Sequence, residues 1–143
     1  YVKTSPYQTN IFPNTRETLA NLKTEGHELH IITNGFTEVQ YIKLEKSKLI
    51  EYFDVIVCSD EVGKNKPARD VFDYAMYHAK AKPSESIMIG DDYLVDIVGA
   101  EKAGMQGILF DPKKSYREGT HEWTINNLNE IPGLIPWIKK TTL

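Results

Sequence analysis

The sequence predicts an α/β fold, a parallel sheet with helices on both faces, and three observations support it. Helix and strand signals alternate along the chain, with short turns between them. The strand segments are continuous apolar runs, such as Val55-Ile56-Val57-Cys58 and Ile87-Met88-Ile89. Such runs are expected where both faces of a strand are covered, whereas a half-exposed strand alternates. Strands that follow one another through helices pair in parallel.

The elements follow in order. Asn14 is placed to cap a helix, with Glu17 as its capping-box partner. Leu19 and Leu22 give that helix a buried stripe, and Gly26 stops it. Glu28 to Thr33 reads as a strand ended by Asn34-Gly35. A helix is expected from about Thr37 to Lys48, with Val39 and Ile42 inward, and Val55 to Ser59 is the next strand. Pro67 precedes a helix whose inward face is Val71, Phe72, Ala75 and Met76. Ser86 to Gly90 is a short strand, and the helix from Tyr93 turns Leu94, Ile97 and Val98 inward and ends at Gly104. Gln106 to Phe110 is a strand, Pro112 to His121 an exposed polar loop, and Trp123 to Ile125 a last short strand. Leu128 to Ile138 is a Pro-interrupted helix on the outside, with Trp123 and Trp137 as packing residues. Residues 1–12 carry no periodic pattern and read as a connector, and 13–143 as a core domain.

Composition narrows the function. The chain has 143 residues, 41% of them apolar, enough for one domain with a real core. Its net charge of -3 argues against a nucleic-acid footprint. The single cysteine, Cys58, excludes an internal disulfide and fits a reducing compartment, so a cytoplasmic protein is expected. Cys58 sits in an apolar strand and reads as core packing rather than chemistry. No apolar run is long enough to span a bilayer, and no signal peptide is visible at the N-terminus. His27, His30, His78 and His121 are scattered without ligand spacing.

In open parallel sheets, ligands bind beyond the carboxyl ends of the strands. Thr33-Asn34-Gly35 follows the first strand; a hydroxyl with free N–H groups at a helix start can cradle phosphate, or the motif is simply a capped turn. Lys66 stands before Pro67 at a helix entry, where its ammonium can reach a phosphate or a carboxylate; Lys64 competes with it, and either can be a solvated surface lysine. Gly90-Asp91-Asp92 ends the third strand, and Asp96 follows. Three acids within a turn and a half repel one another unless a cation joins them, and carboxylate oxygens suit magnesium. One of them could instead cap the helix.

The order of these motifs resembles the haloacid dehalogenase (HAD) superfamily. Ile31-Ile32-Thr33-Asn34-Gly35 is similar to its second motif, Lys66-Pro67 to its third, and Ile89-Gly90-Asp91-Asp92 with Asp96 to its fourth. The likeness covers about Phe12 to Phe110. It implies a Rossmann-like fold and a Mg2+-dependent phosphohydrolase working through an aspartyl-phosphate. The implied phosphate-binding residues are Thr33, Asn34, Gly35 and Lys66, with Lys66 also holding the nucleophilic carboxylate. The implied metal residues are Asp91, Asp92 and Asp96, with Asp96 supporting the metal from behind its ligands. Thr33-Asn34-Gly35-Phe36-Thr37-Glu38 resembles the 5′-nucleotidase branch, which implies small phosphate esters such as nucleoside monophosphates as substrates.

One part of the family pattern has no counterpart here. The first motif is an Asp-x-Asp pair on a central strand, between the strands that end at Thr33 and at Gly90, and no Asp-x-Asp occurs in these 143 residues. That strand and the cap after it are therefore expected upstream of Tyr1. Without the strand, orphaned buried backbone groups would cost about 1–3 kcal/mol each. Several of them would consume a total stability of about 5–15 kcal/mol. The expectation is that a missing N-terminal segment or another chain completes the sheet, or the sheet closes differently, and that these residues alone are inactive. Three other readings compete. A 2-haloacid dehalogenase uses no metal, and Asp91 and Asp92 argue against it. A non-catalytic module could keep the scaffold without the nucleophile. A phosphoacceptor receiver domain would carry its acidic pair at the first strand, not the third seen here.

Overall fold

The computed structural model describes residues 14–34, 45–46 and 48–141. The helix expected over 37–48, with Val39 and Ile42, lies almost wholly outside them, and so does the connector expected over 1–12. Helix α1 spans Thr15–Thr24 and strand β1 His30–Thr33. Strand β2 spans Val55–Cys58, followed by the short helix α2 at Ser59–Val62 and by α3 at Arg69–Ala79. Strand β3 spans Ile87–Gly90 and runs into a π-helical stretch, Tyr93–Val98, that continues as α4, Gly99–Lys102. Strands β4, Gln106–Phe110, and β5, Thr124–Ile125, precede the last helix α5, Ile131–Thr141.

All strand pairs are parallel. β1 pairs with β2, with Thr33 opposite Cys58. β3 pairs with β4, with Gly90 opposite Leu109, and β4 pairs with β5. Helices cover both faces. On one face, Val71, Phe72 and Ala75 of α3 and Ala100 of α4 pack on Ile32, Val57 and Met88. On the other, Leu22 of α1 and Ile131, Ile135 and Ile138 of α5 pack with Ile108, Phe110 and Ile125. Alternate residues of each strand serve opposite faces, which is why every strand reads as an unbroken apolar run. Fully burying one such side chain contributes about 1.5–3 kcal/mol.

The strands form two sheets, β1-β2 and β3-β4-β5, with no hydrogen bond between β1 and β3. A cavity of about 410 Å³ is lined by both of these strands, including Ile32 on β1 and Ile87 and Ile89 on β3, and by Thr18 and Leu22 of α1. It lies where the sequence reading puts a further central strand. The buried Thr18 hydroxyl and His30 Nδ1 have no hydrogen-bond partner among the described residues, and both residues line this cavity.

Four local expectations are corrected. Asn14 does not form the capping box: its backbone is left-handed (φ 64°) and its amide donates to Asn127 Oδ1, 3.1 Å away. Leu94 points outward and is 67% exposed, because the π-helical turn rotates Asp96 and Ile97 inward instead. Trp137 is 62% exposed, since the spacing of Ile131, Ile135 and Ile138 already fills the inner stripe of α5. The segment after β4 is not merely an exposed loop, because the Tyr116 hydroxyl returns to the end of β3. Gly26 ends α1 as expected, with φ 91° and a capping bond from His27 N–H to Leu22 O of 3.0 Å.

Candidate active site

The carboxyl ends of β1, β2 and β3 bring the sequence motifs together through one buried cation. Lys66 lies between β2 and α3, joined to Pro67 by a cis peptide bond. Its ammonium is buried and donates to Asp96 Oδ1 at 2.5 Å and to the Ile32 carbonyl at 3.1 Å. The lysine thus ties β1 to the acidic segment after β3, across the boundary between the two sheets. Both partners of the ion pair are only 3% exposed. Such a pair adds little net stability as a unit, but losing one partner strands a buried charge.

Asn34 holds the lysine in place. Its Oδ1 accepts from Lys66 N–H at 2.7 Å, and its Nδ2 donates to the Lys66 carbonyl at 3.2 Å. The side chain assigned to phosphate from sequence is therefore turned to the Lys66 backbone. Thr33 ends β1 and is buried, while Gly35 lies outside the described residues. Lys64, the competitor, is a surface residue paired with Asp70 Oδ2 at 2.9 Å. Hydrogen bonding and charge attraction to Lys64 hold the Asp70 carboxyl below its ordinary value of 3.8. A lowered folded-state pKa gives stability above the unfolded value that is lost as pH falls through the folded one. Asp70→Asn should therefore differ from the wild type at neutral pH and converge on it in acid, by a small amount because the pair is exposed. Denaturation at several pH values checks this, and Lys64→Ala should leave turnover unchanged.

The three acids after β3 have separate tasks. Asp96 is 2% exposed; one oxygen takes the Lys66 ammonium and the other accepts from Asp92 N–H at 3.1 Å. Gly90 makes this possible, since a Cβ there would sit 2.3 Å from Asp96 Oδ2. Asp92 caps the following helix, its Oδ1 accepting from Val95 N–H at 3.1 Å. The half-buried Asp91 carboxylate has no hydrogen bond or ion pair from any described residue. The idea that one cation joins all three acids is thus revised. Lys66 already neutralises Asp96, which leaves the formal charge of Asp91 and Asp92 to be balanced. Two carboxylates, one of them unpartnered among the described residues, are a donor set suited to a hard divalent cation.

Among the described residues, the one group of three candidate ligands whose atoms all lie within 4.8 Å of one another is Cys58, Asp60 and Glu61. Glu61 there also accepts from Cys58 N–H at 3.4 Å, which makes it a capping residue of α2. Sequence reasoning missed the Ile32 carbonyl, the Asn34 clamp, the need for glycine at 90 and Tyr116. No local pattern signals any of these, because each contact joins distant segments or depends on backbone placement.

Known proteins share sequence and fold with this chain. The model of haloacid dehalogenase-like hydrolases matches residues 2–110. Over 110 residues the chain is 41% identical to a glyceraldehyde 3-phosphate phosphatase of Methanothermobacter thermautotrophicus, covering 77% of this chain and 49% of the relative. Over 121 residues it is 36% identical to a pyrimidine 5′-nucleotidase of Escherichia coli, covering 82% and 53%. The structure of a HAD phosphatase from Thermococcus onnurineus superposes with a TM-score of 0.83 at 29% identity, covering 88% of this chain and 58% of that one. A 2-haloacid dehalogenase from Pseudomonas syringae pv. Tomato superposes with a TM-score of 0.78 at 29% identity, covering 90% and 54%. The chain spans about half the length of the curated relatives it matches. No helix among the described residues is long and apolar enough to cross a membrane.

Proposed function

The chain belongs to the haloacid dehalogenase-like hydrolases, and on that footing we propose that it supplies most of the active site of a Mg2+-dependent phosphohydrolase for small phosphate esters. The observation that carries the reading is the buried Lys66, its ammonium held by Asp96 and the Ile32 carbonyl and its backbone by Asn34, together with an Asp91 carboxylate unpartnered among the described residues.

A strand from outside the described residues fills the cavity between β1 and β3 and presents an aspartate beside Lys66. One of its carboxylate oxygens attacks phosphorus, the ester P–O bond breaks, and the second aspartate of the Asp-x-Asp pair gives its proton to the departing alkoxide and later takes one from the attacking water. Water then cleaves the aspartyl-phosphate and restores the carboxylate. Lys66 offsets the charge of both the carboxylate and the phosphoryl oxygens. Thr33 and the backbone after it bind the phosphoryl group from the end of β1. Asp91 is the metal ligand; Asp92 assists it directly or through water, and Asp96 holds Lys66 and the loop in register. A magnesium ion there would neutralise the phosphoryl oxygens as a Lewis acid.

The nucleotidase and sugar-phosphatase relatives support nucleoside monophosphates and triose phosphates as the first substrates to try. The whole natural polypeptide should release phosphate from members of that panel, lose this activity on chelation and regain it with Mg2+. It should release no halide from 2-chloropropionate. Halide release, or activity indifferent to chelation, would overturn the reading in favour of a metal-free dehalogenase. Residues 1–143 alone contain no Asp-x-Asp pair and are expected to release no phosphate. An N-terminal extension without an aspartate at the new strand would favour a non-catalytic role. The single cysteine supports a cytoplasmic location.

A further inference from the structure

We propose that Tyr116 is a positioning residue for the metal ligand Asp91, an inference that rests on the metal site proposed above. The Tyr116 hydroxyl accepts from Tyr93 N–H at 3.1 Å and donates to the Asp91 carbonyl at 3.1 Å. One side chain thus bridges the backbone on both sides of Asp92. The other bonds of this turn are local to it: Asp92 N–H to Asp96 Oδ2, Val95 N–H to Asp92 Oδ1, and Asp96 N–H to the Asp92 carbonyl. From distant parts of the chain, Lys66 reaches the Asp96 side chain of this turn and Tyr116 reaches its backbone.

The bridge sets the direction of Asp91. Its amino side is carried by β3, whose Gly90 is registered against Leu109 of β4. Its carbonyl side is carried by Tyr116. With both flanks held, the Cα–Cβ bond has one direction, so fewer positions of the carboxylate remain open before any cation arrives. A ligand ordered in advance binds more tightly, because less freedom is lost on binding.

Tyr116 is itself anchored to the sheet. The buried Asp111 follows β4, and its two carboxylate oxygens accept from Ser115 N–H at 2.8 Å and Tyr116 N–H at 3.0 Å. The Asp111 backbone is fixed in turn: its N–H donates to the Ile125 carbonyl at 2.8 Å, and its carbonyl accepts from Asn126 Nδ2 at 2.8 Å. The rings of Tyr93 and Tyr116 meet edge-on, with centroids 6.5 Å apart. A connected path therefore runs from the edge of the β3-β4-β5 sheet through Asp111 and Tyr116 to Asp91.

Hydrogen-bonding groups behind a metal ligand typically change metal affinity about 10–100-fold when removed. Tyr116→Phe keeps the ring and removes only the bridge. In the whole natural polypeptide, Mn2+ affinity is measured by the electron paramagnetic resonance of free ion, alongside the melting temperature. The wild type should bind one Mn2+, Asp91→Asn should lose it, and Tyr116→Phe should bind about 10–100-fold more weakly with a melting point lower by only a few degrees. Ile135→Val, a core change in α5, should lower the melting point comparably and leave Mn2+ affinity intact. Wild-type affinity in Tyr116→Phe, with binding lost in Asp91→Asn, overturns the role of Tyr116 and leaves the metal site standing. Equal weakening by Ile135→Val also overturns it, since the effect would then be general loosening. Failure of the wild type to bind Mn2+ overturns both.

Discussion

Replacing Lys66 with methionine is expected to cost about 3–5 kcal/mol, the usual cost of removing one partner of a buried ion pair, and to abolish turnover. Methionine fills much the same volume, so a packing defect is not the cause. The Asp96 carboxylate, 3% exposed, is left without its cation. The Ile32 carbonyl loses its donor at the same time. Two variants separate the structural from the chemical role. Lys66→Met/Asp96→Asn removes the stranded charge while keeping an oxygen for Asp92 N–H, and should recover about 0.5–3 kcal/mol through the coupling of the two positions. It should recover no turnover, because the cation proposed to offset phosphoryl charge is still missing; such a loss is typically about 10²–10³-fold or more. Equilibrium denaturation and phosphate release on the whole natural polypeptide are the measurements. A single variant as stable as the wild type, or a double variant that turns over, would sink the assignment of Lys66.

Gly90→Ala should be nearly as damaging, although glycine to alanine is usually mild. A Cβ at position 90 would lie 2.3 Å from Asp96 Oδ2 and 2.4 Å from Asp96 Cβ. Neither atom can withdraw cheaply, since Asp96 is buried and bonded to both Lys66 and Asp92 N–H. Overpacking alone costs about 1–3 kcal/mol, and displacing the carboxylate from Lys66 carries the loss toward the about 3–5 kcal/mol of a broken buried pair. Gly133→Ala is the matched control. It lies on the exposed side of α5 with nothing within 4 Å of the added methyl. There alanine should be neutral or stabilise by about 0.5–1 kcal/mol, because glycine is the poorer helix former. Thermal melts of the two variants should therefore move in opposite directions, and a Gly90→Ala protein that melts with the control would remove the close approach from the account.

The fold class and the order of its elements were legible in the sequence because they rest on local, repeated signals. Continuous apolar runs marked β1 to β4 to within two residues at each end. The Val71, Phe72 and Ala75 face of α3 followed from helical spacing alone. The site was legible as a set of residue types at strand ends, which is how Thr33, Lys66, Asp91, Asp92 and Asp96 came to be named together. Their division of labour was not, since it depends on contacts spanning some thirty residues. Sequence left Lys64 and Lys66 as rivals; burial separates them, with the Lys66 side chain 3% exposed and that of Lys64 60%. Sequence set Asn34 against phosphate; the fold turned it to the Lys66 backbone. The family resemblance set all three acids around one metal, with Asp96 behind its ligands; the fold pairs Asp96 with Lys66, gives Asp92 a helix cap, and leaves the Asp91 carboxylate without a partner among the described residues. The physical reason is common to all three cases. Periodicity and motif order report which face a residue takes and which strand end it follows, but hydrogen-bond pairing is settled only when distant segments are packed and each buried polar group must find a partner.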